Sequence, residues 1–355
     1  MKFIHIADVH LGVKPNAGKA YSYNREREIW DAFKNILEIC EKQKIELLLI
    51  AGDLFHRQPL LRELKEVDYM FSKLSRTKVV FIVGNHDYLK ENSYYGSFVW
   101  SENVYPIFSE GMDCIEIEEL ELAVYGCSYH QKEVLEDRLS VLMKLAKQKY
   151  HILLGHGGDA THMPFKKAQM EMLPYDYIAL GHIHKPEILI ENKMAYAGAL
   201  EPVDIGDYGE HGYIRGEMKV HENQCITEIL FHDFAKREYK KLQVEVDSKM
   251  THYALKDYLY TLRSASGMHN LYQVELIGAR DPEIMFLLEE LDDIGNIIDI
   301  VDHTKLDYNL DELERKNKDN LLGAYIRSFG NVVEGSREYL ALYQGVQAIE
   351  ETKKG

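Results

Sequence analysis

Five short apolar runs in this chain each stop at a glycine or an acidic residue, and a side chain able to hold a metal follows at once. The endings are Asp8-Val9-His10, Gly52-Asp53-Leu54-Phe55-His56, Gly84-Asn85-His86-Asp87, Gly155-His156-Gly157-Gly158 and Gly181-His182-Ile183-His184. Ligands of open α/β sheets gather beyond the carboxyl ends of the strands, so turns far apart in sequence can meet there. Residues i and i+2 of an extended segment point the same way, which lets Asp8 with His10, and His182 with His184, aim two donors at one point. Glycine ahead of the donors lets the backbone turn sharply and approach closely. Singly, each ending is ordinary, since HxH is most often structural and GD or GN marks a common turn. Five in this order, each after an apolar strand, point to one site.

The segments between these endings alternate. Lys2 to Ala7, Glu46 to Ala51 and Lys78 to Val83 read as strands, while Glu26 to Lys42 and Leu61 to Leu74 carry apolar residues at helical spacing. That βαβαβ rhythm predicts a mainly parallel sheet with helices on its faces. Leu122 to Gly126, His151 to Leu154, Tyr177 to Leu180 and Met194 to Ala197 extend the pattern toward a second sheet.

The donor inventory comprises two aspartates, one asparagine carbonyl and four histidines: Asp8, His10, Asp53, Asn85, His156, His182 and His184. A mixed oxygen and nitrogen set without thiolate suits Mn²⁺, Fe²⁺ or Zn²⁺ better than Ca²⁺. Seven ligands exceed one ion and suit two, roughly 3.5 to 4 Å apart with a bridging carboxylate, as in displacement at phosphorus.

These motifs, D-x-H, G-D, G-N-H-D, G-H and G-H-x-H, resemble those of the calcineurin-like metallophosphoesterases over about the first 205 residues. Within that superfamily the chain is similar to the SbcD and Mre11 group of DNA repair nucleases. The likeness rests on the opening IHIADVHLG, the histidine of GDLFHR and the tail beyond the core; a protein phosphatase of the superfamily would show GDYVDRG there. The resemblance implies a four-layer α/β/β/α sandwich, a small α/β capping domain and a C-terminal helical segment. It implies that Asp8, His10, Asp53 and His184 hold one ion and Asp53, Asn85, His156 and His182 the other, with Mn²⁺ the expected metal at both. His86 would stabilise the transition state, Asp87 would orient it, and His56 would face the phosphate. Water activated between the ions would then attack a phosphodiester in line.

The expected domains are 1–235 for the nuclease core, 236–308 for the cap and 309–355 for a helical pair. Strands are expected at Tyr239 to Val246, Leu271 to Ile277 and Asn296 to Asp302, with helices at Thr251 to Arg263 and Asp281 to Leu291. The final segment shows two amphipathic stretches, with Leu321, Leu322, Tyr325, Ile326 and Phe329 on one and Tyr339, Leu340, Tyr343, Val346 and Ile349 on the other. By resemblance they would grip a Rad50- or SbcC-like coiled-coil ATPase. Apolar residues near Leu61 to Leu74 and Ser93 to Trp100 offer a homodimer face, or pack in the core.

Composition sets the outer limits. The 355 residues, 46% hydrophobic, can bury a sizeable core and more than one domain. There is no signal-peptide pattern at the N-terminus, and no window has the roughly 18 to 20 apolar residues of a membrane span. The four cysteines lack a CxxC pair and read as reduced core residues of a cytoplasmic protein. The net charge of -16 divides as -10 over residues 1–235 and -6 over 236–355, so neither region grips DNA by a basic surface alone. Most of the DNA affinity is therefore expected from the ATPase partner. Two competing functions are a phosphodiesterase on small or cyclic nucleotides, disfavoured by the added cap and tail, and a non-catalytic scaffold for the ATPase, disfavoured by the complete donor set.

Overall fold

A computed structural model describes residues 1–354 apart from 144 and 223. Strands β1 (Lys2–Ile6), β2 (Leu47–Ala51), β3 (Lys78–Ile82) and β4 (Val104–Pro106) are followed by β5 (Asp113–Ile117), β6 (Leu122–Gly126), β7 (Tyr150–His156), β8 (Tyr177–Gly181), β9 (Glu187–Ile190) and β10 (Met194–Tyr196). A long hairpin of β11 (Gly212–His221) and β12 (Gln224–Asp233) comes next. Two six-stranded sheets result, one ordered β12-β11-β1-β2-β3-β4 and the other β5-β6-β7-β8-β10-β9. The run β1 to β4 is parallel, as the alternation of strand and helix predicts, and β11 closes antiparallel on β1.

Burial on both faces explains the uninterrupted apolar strands. Leu48, Ile50, Val79 and Phe81 meet helix Arg25–Lys42 through its Ile29, Phe33 and Ile36, and helix Leu61–Phe71 through its Leu64, Val67 and Phe71. The alternate residues Leu47, Leu49, Val80 and Ile82 pack against Val124, Ile152, Leu154 and Ala179 of the second sheet. Each such side chain contributes about 1.5–3 kcal/mol by leaving water. The far face of the second sheet is covered differently. Irregular chain and the short helix Lys167–Glu171 bring Val134, Leu139, Met163, Met170 and Leu173 onto Leu153, Ile178 and Leu180. Around Ser93 to Trp100 there is a single turn, Tyr94–Ser97.

The chain divides into two compact units, 1–240 and 241–355. In the second, β13 (Tyr239–Val246), β14 (Leu271–Arg280) and β15 (Ile297–Asp302) form a sheet in that order, with β16 (Lys305–Leu306) pairing on β14. Helix His252–Ser266, capped by the Thr251 hydroxyl accepting from the Ala254 N–H, lays Leu255 and Leu259 on Val244, Val274 and Leu276.

Two helix expectations fail here. Asp281 to Leu291 holds only a turn of 3₁₀ helix at Leu288–Glu290. Its inward residues Ile284, Phe286 and Leu288 recur every second position, and the Arg280 guanidinium takes the Ile284 carbonyl that a helix would need. The tail is three helices, not two: Leu310–Lys316, Leu321–Phe329 and Arg337–Lys354. The first stretch breaks because the Asn320 carboxamide caps a new helix by accepting from the Gly323 N–H. Leu322, Ile326, Leu342 and Val346 form its core, whereas Leu321 and Leu340, expected inward, are exposed.

Candidate metal centre

Backbone hydrogen bonds bring the first strand ends together. The Asp8 N–H donates to the Gly52 carbonyl (3.2 Å), His10 to Asp53 (3.0 Å) and Leu11 to Leu54 (2.9 Å). Asp8, His10 and Asp53 all hold φ near +50°, a region that non-glycine residues occupy only where surrounding contacts enforce it. Two further turns are tied in by the same carboxylates. Asp53 Oδ1 accepts from the His86 N–H (2.9 Å), and Asp8 accepts from the His182 N–H at 2.9 and 3.1 Å.

The side chains then meet. His156 Nδ1 donates to the Ala51 carbonyl (2.7 Å), so in the neutral ring Nε2 carries a lone pair. That nitrogen faces Asn85 Oδ1 at 3.0 Å and Asp53 Oδ2 at 3.4 Å. His182 Nδ1 lies 3.2 Å from Asn85 Oδ1. On the other side, His184 Nε2 lies 3.1 Å from His10 Nε2, which is 3.9 Å from Asp53 Oδ2. Donor atoms of Asp8, His10 and His184 fall within 4.8 Å of one another, as do those of Asp8, Asp53 and His156. Thus the seven expected donors converge, with Asp8 common to both groups and Asp53 Oδ2 3.4 Å from His156 and 3.9 Å from His10.

Lone pairs facing one another in a buried pocket require a cation, either a proton or a metal. Burial pushes the Asp8 carboxyl up to about 6, against the pull of His156 and His184. His156 rises to about 9, because Asp53 and Asp8 outweigh its burial. Asp53 is held well below the usual carboxylate range by His156 and His10 despite burial. The groups shift in opposite directions, with His10 and His182 pushed down by burial, and the oxygen and nitrogen donor set itself is what fits divalent cations.

The turn Gly181-His182-Ile183-His184 departs from expectation in one respect. His182 and His184 do not aim at one point: His182 lies with Asn85 and His184 with His10. A φ of +94° at His182 breaks the extended geometry that the i, i+2 rule needs.

His86 and His56 stand beside His10. Their rings stack at 4.9 Å, and His86 Nδ1 donates to the His56 carbonyl (3.2 Å). Asp87, expected to orient His86, does something else. Its carboxylate accepts from the Gly84 N–H (2.9 Å), the Phe55 N–H (3.1 Å) and the Tyr95 hydroxyl (2.9 Å), binding the 52–56 and 84–87 turns together. Burial, then Asp53, pushes its pKa up to about 7.

Sequence reasoning missed two carboxylates. Asp159 accepts from His182 Nε2–H (2.7 Å) and from His162 Nδ1–H (2.9 Å), and Asp207 accepts from His184 Nδ1–H (3.0 Å). Asp159 follows His156 by three residues, a local hint; nothing in the spacing flags Asp207. Of the unassigned histidines, His5 is buried and pairs with the Tyr177 hydroxyl (2.9 Å), a core role.

Two stacked sheets with oxygen and nitrogen donors at adjoining strand ends define a metallophosphoesterase. A model of the calcineurin-like phosphoesterase family matches residues 1–186, and the chain belongs to that family. Within it the chain is similar to DNA double-strand break repair proteins named Mre11. That of Methanocaldococcus jannaschii is 29% identical over 225 residues, covering 59% of this chain and 59% of the relative. That of Archaeoglobus fulgidus is 25% identical over a 414-residue alignment, covering all of this chain and 91% of the relative. The uncharacterized metallophosphoesterase YhaO of Bacillus subtilis is 27% identical over 235 residues, 60% of this chain and 56% of the relative. The matches with the first and last of these span less than two thirds of the relatives' length. Among the described residues, no helix is long and apolar enough to cross a membrane.

Proposed function

We propose that this protein is a metal-dependent DNA nuclease that hydrolyses phosphodiester bonds in double-strand break repair. The observation that carries the reading is the convergence of oxygen and nitrogen donors at one buried point: His156 Nε2 lies 3.4 Å from Asp53 Oδ2 and 3.0 Å from Asn85 Oδ1, and His10 Nε2 lies 3.9 Å from Asp53 Oδ2, a donor set that suits divalent cations. We assign Asp8, His10, Asp53 and His184 to one ion and Asp53, Asn85, His156 and His182 to the other, with Mn²⁺ as the first candidate. Such a pair, when bound, supplies acidified water and neutralises charge on phosphate oxygens.

The chain's own groups do the rest. With Nδ1–H committed to the His56 carbonyl, His86 has Nε2 left for substrate, and in its protonated form this nitrogen donates to the departing oxygen. His56, stacked on His86, meets the phosphate beside it. Asp87 keeps the two turns in register.

The name of the Mre11 relatives supports DNA as substrate. With a net charge of -16, a coiled-coil ATPase of the Rad50 or SbcC kind is the partner that supplies most of the DNA grip, docking on the helices of 309–355. The α/β segment 236–308 selects the DNA, and the protein works in the cytoplasm. Incubation with Mn²⁺ and linear duplex DNA, in parallel with a generic phosphodiester and cyclic nucleotides, tests the reading. Cleavage of DNA and of the generic diester supports it. Preference for cyclic nucleotides, or no hydrolysis of any of them, defeats it.

A further inference from the structure

We propose that Asp159 and Asp207 are positioning residues: each fixes one ring of the Gly181–His184 turn, so that His182 presents Nδ1 and His184 presents Nε2 to the cation sites. The inference rests on the two-ion reading above and extends it to groups that neither the motifs nor the family likeness assigned.

The geometry is complementary. His182 gives Nε2–H to Asp159 Oδ2 (2.7 Å) and turns Nδ1 to within 3.2 Å of Asn85 Oδ1. His184 gives Nδ1–H to both oxygens of Asp207 (3.0 and 3.1 Å) and turns Nε2 to within 3.1 Å of His10 Nε2. Two imidazoles separated by one residue thereby serve different positions through different nitrogens. A ring flipped about its Cβ–Cγ bond would put a C–H where the donor must be, and the carboxylate behind the ring opposes that flip by holding the other nitrogen.

Each carboxylate is itself held from behind. Asp159 accepts from the Thr161 N–H (2.8 Å), the His162 N–H (2.9 Å) and the His162 ring, so one carboxylate orients two imidazoles. Asp207 accepts from the Val203 and Asp204 N–H groups, both at 2.9 Å. Neither is free to follow a wandering ring.

Calorimetric titration of Mn²⁺ into wild type, Asp159→Ala, Asp207→Ala, Asp159→Asn and Asp207→Asn tests the proposal, together with ¹⁵N NMR of histidine-labelled, Zn²⁺-loaded wild type. Each alanine variant is expected to weaken Mn²⁺ binding about ten- to a hundredfold. Each asparagine variant, whose amide oxygen still accepts, recovers part of that loss and carries the test if an alanine variant unfolds. The NMR spectra are expected to show His182 bound through Nδ1 and His184 through Nε2. Alanine variants that bind within twofold of wild type, or the opposite nitrogens in the spectra, overturn the positioning roles while leaving the nuclease reading intact. A wild type that binds two Mn²⁺ but cleaves no DNA removes the nuclease reading and leaves these roles standing. Wild type with no Mn²⁺ binding removes both.

Discussion

His156 Nε2 stands 3.4 Å from Asp53 Oδ2 while its Nδ1 is committed to the Ala51 carbonyl, so neither group can satisfy the other without a cation. Binding of divalent ions should therefore stabilise the fold. At a hundredfold excess over Kd, one bound ion contributes about 2.7 kcal/mol. Mn²⁺ is expected to raise the melting temperature by roughly 5 °C or more, at about 2–4 °C per kcal/mol, and a chelator to reverse it. A scan that does not move with Mn²⁺ would count against the site.

The backbone at Gly84 passes so close to the centre that a Cβ there would run into Asp53 Oδ1 and His156 Nε2. Gly84→Ala should displace two donors at once. The expected outcome is loss of at least about tenfold in Mn²⁺ affinity by calorimetry, on the scale of disturbed ligand support, with circular dichroism unchanged.

His86→Ala separates chemistry from binding. No donor among the seven is removed, so Mn²⁺ affinity should hold, while hydrolysis of DNA falls about 10²- to 10⁴-fold, the usual worth of a positioned acid. Full activity with both ions bound would remove His86 from the mechanism.

A buried charge network away from the metals predicts an acid limb of stability. Glu28 accepts from Arg25 Nη1 (2.7 Å) and from Arg237 Nε and Nη2 (both 2.7 Å), while Arg25, fully buried, also reaches Glu201 (3.2 Å) and the Pro202 carbonyl (2.8 Å). Burial opposes ionisation of Glu28, but the Arg237 and Arg25 hydrogen bonds prevail and bring its pKa from 4.5 down to about 2. A carboxylate lowered on folding contributes stability in full above its unfolded value, and that contribution drains away as pH falls from about 4.5 toward 2. Glu28→Gln should cost about 3 kcal/mol at neutral pH by urea denaturation, because Arg237 loses the carboxylate it grips with two nitrogens and Arg25 keeps only Glu201 as a charge partner. The variant should also show a flatter loss of stability between those pH values. An unchanged acid limb would mean that Glu28 is not the group that titrates.

Much of this architecture was legible before folding was considered. Strands β1, β2, β3, β6, β7 and β8 announce themselves as apolar runs, because burial between layers leaves no polar position to obscure the period. The turns that end them carry their donors within a few residues of the strand, so parallel order gathers Asp8, Asp53 and Asn85 at the end of one sheet and His156 and His182 at the end of the other, and the stacking of the two sheets joins them. What failed were inferences about partners. Ile284, Phe286 and Leu288 take a two-residue rhythm from the core they meet, and Asn320 stops one helix to start another.

Local sequence by itself determined the two-sheet α/β core and which strand ends would bear metal-competent groups, since side-chain type and period act within a few residues. Tertiary structure alone decided which nitrogen each histidine offers, that Asp87 binds Tyr95 and the turn amides, and that Asp159 and Asp207 stand behind the His182 and His184 rings. The reason is physical. A hydrogen bond is chosen by distance and direction to within a few tenths of an ångström, and those are set only when loops 23 residues apart in the chain are packed side by side.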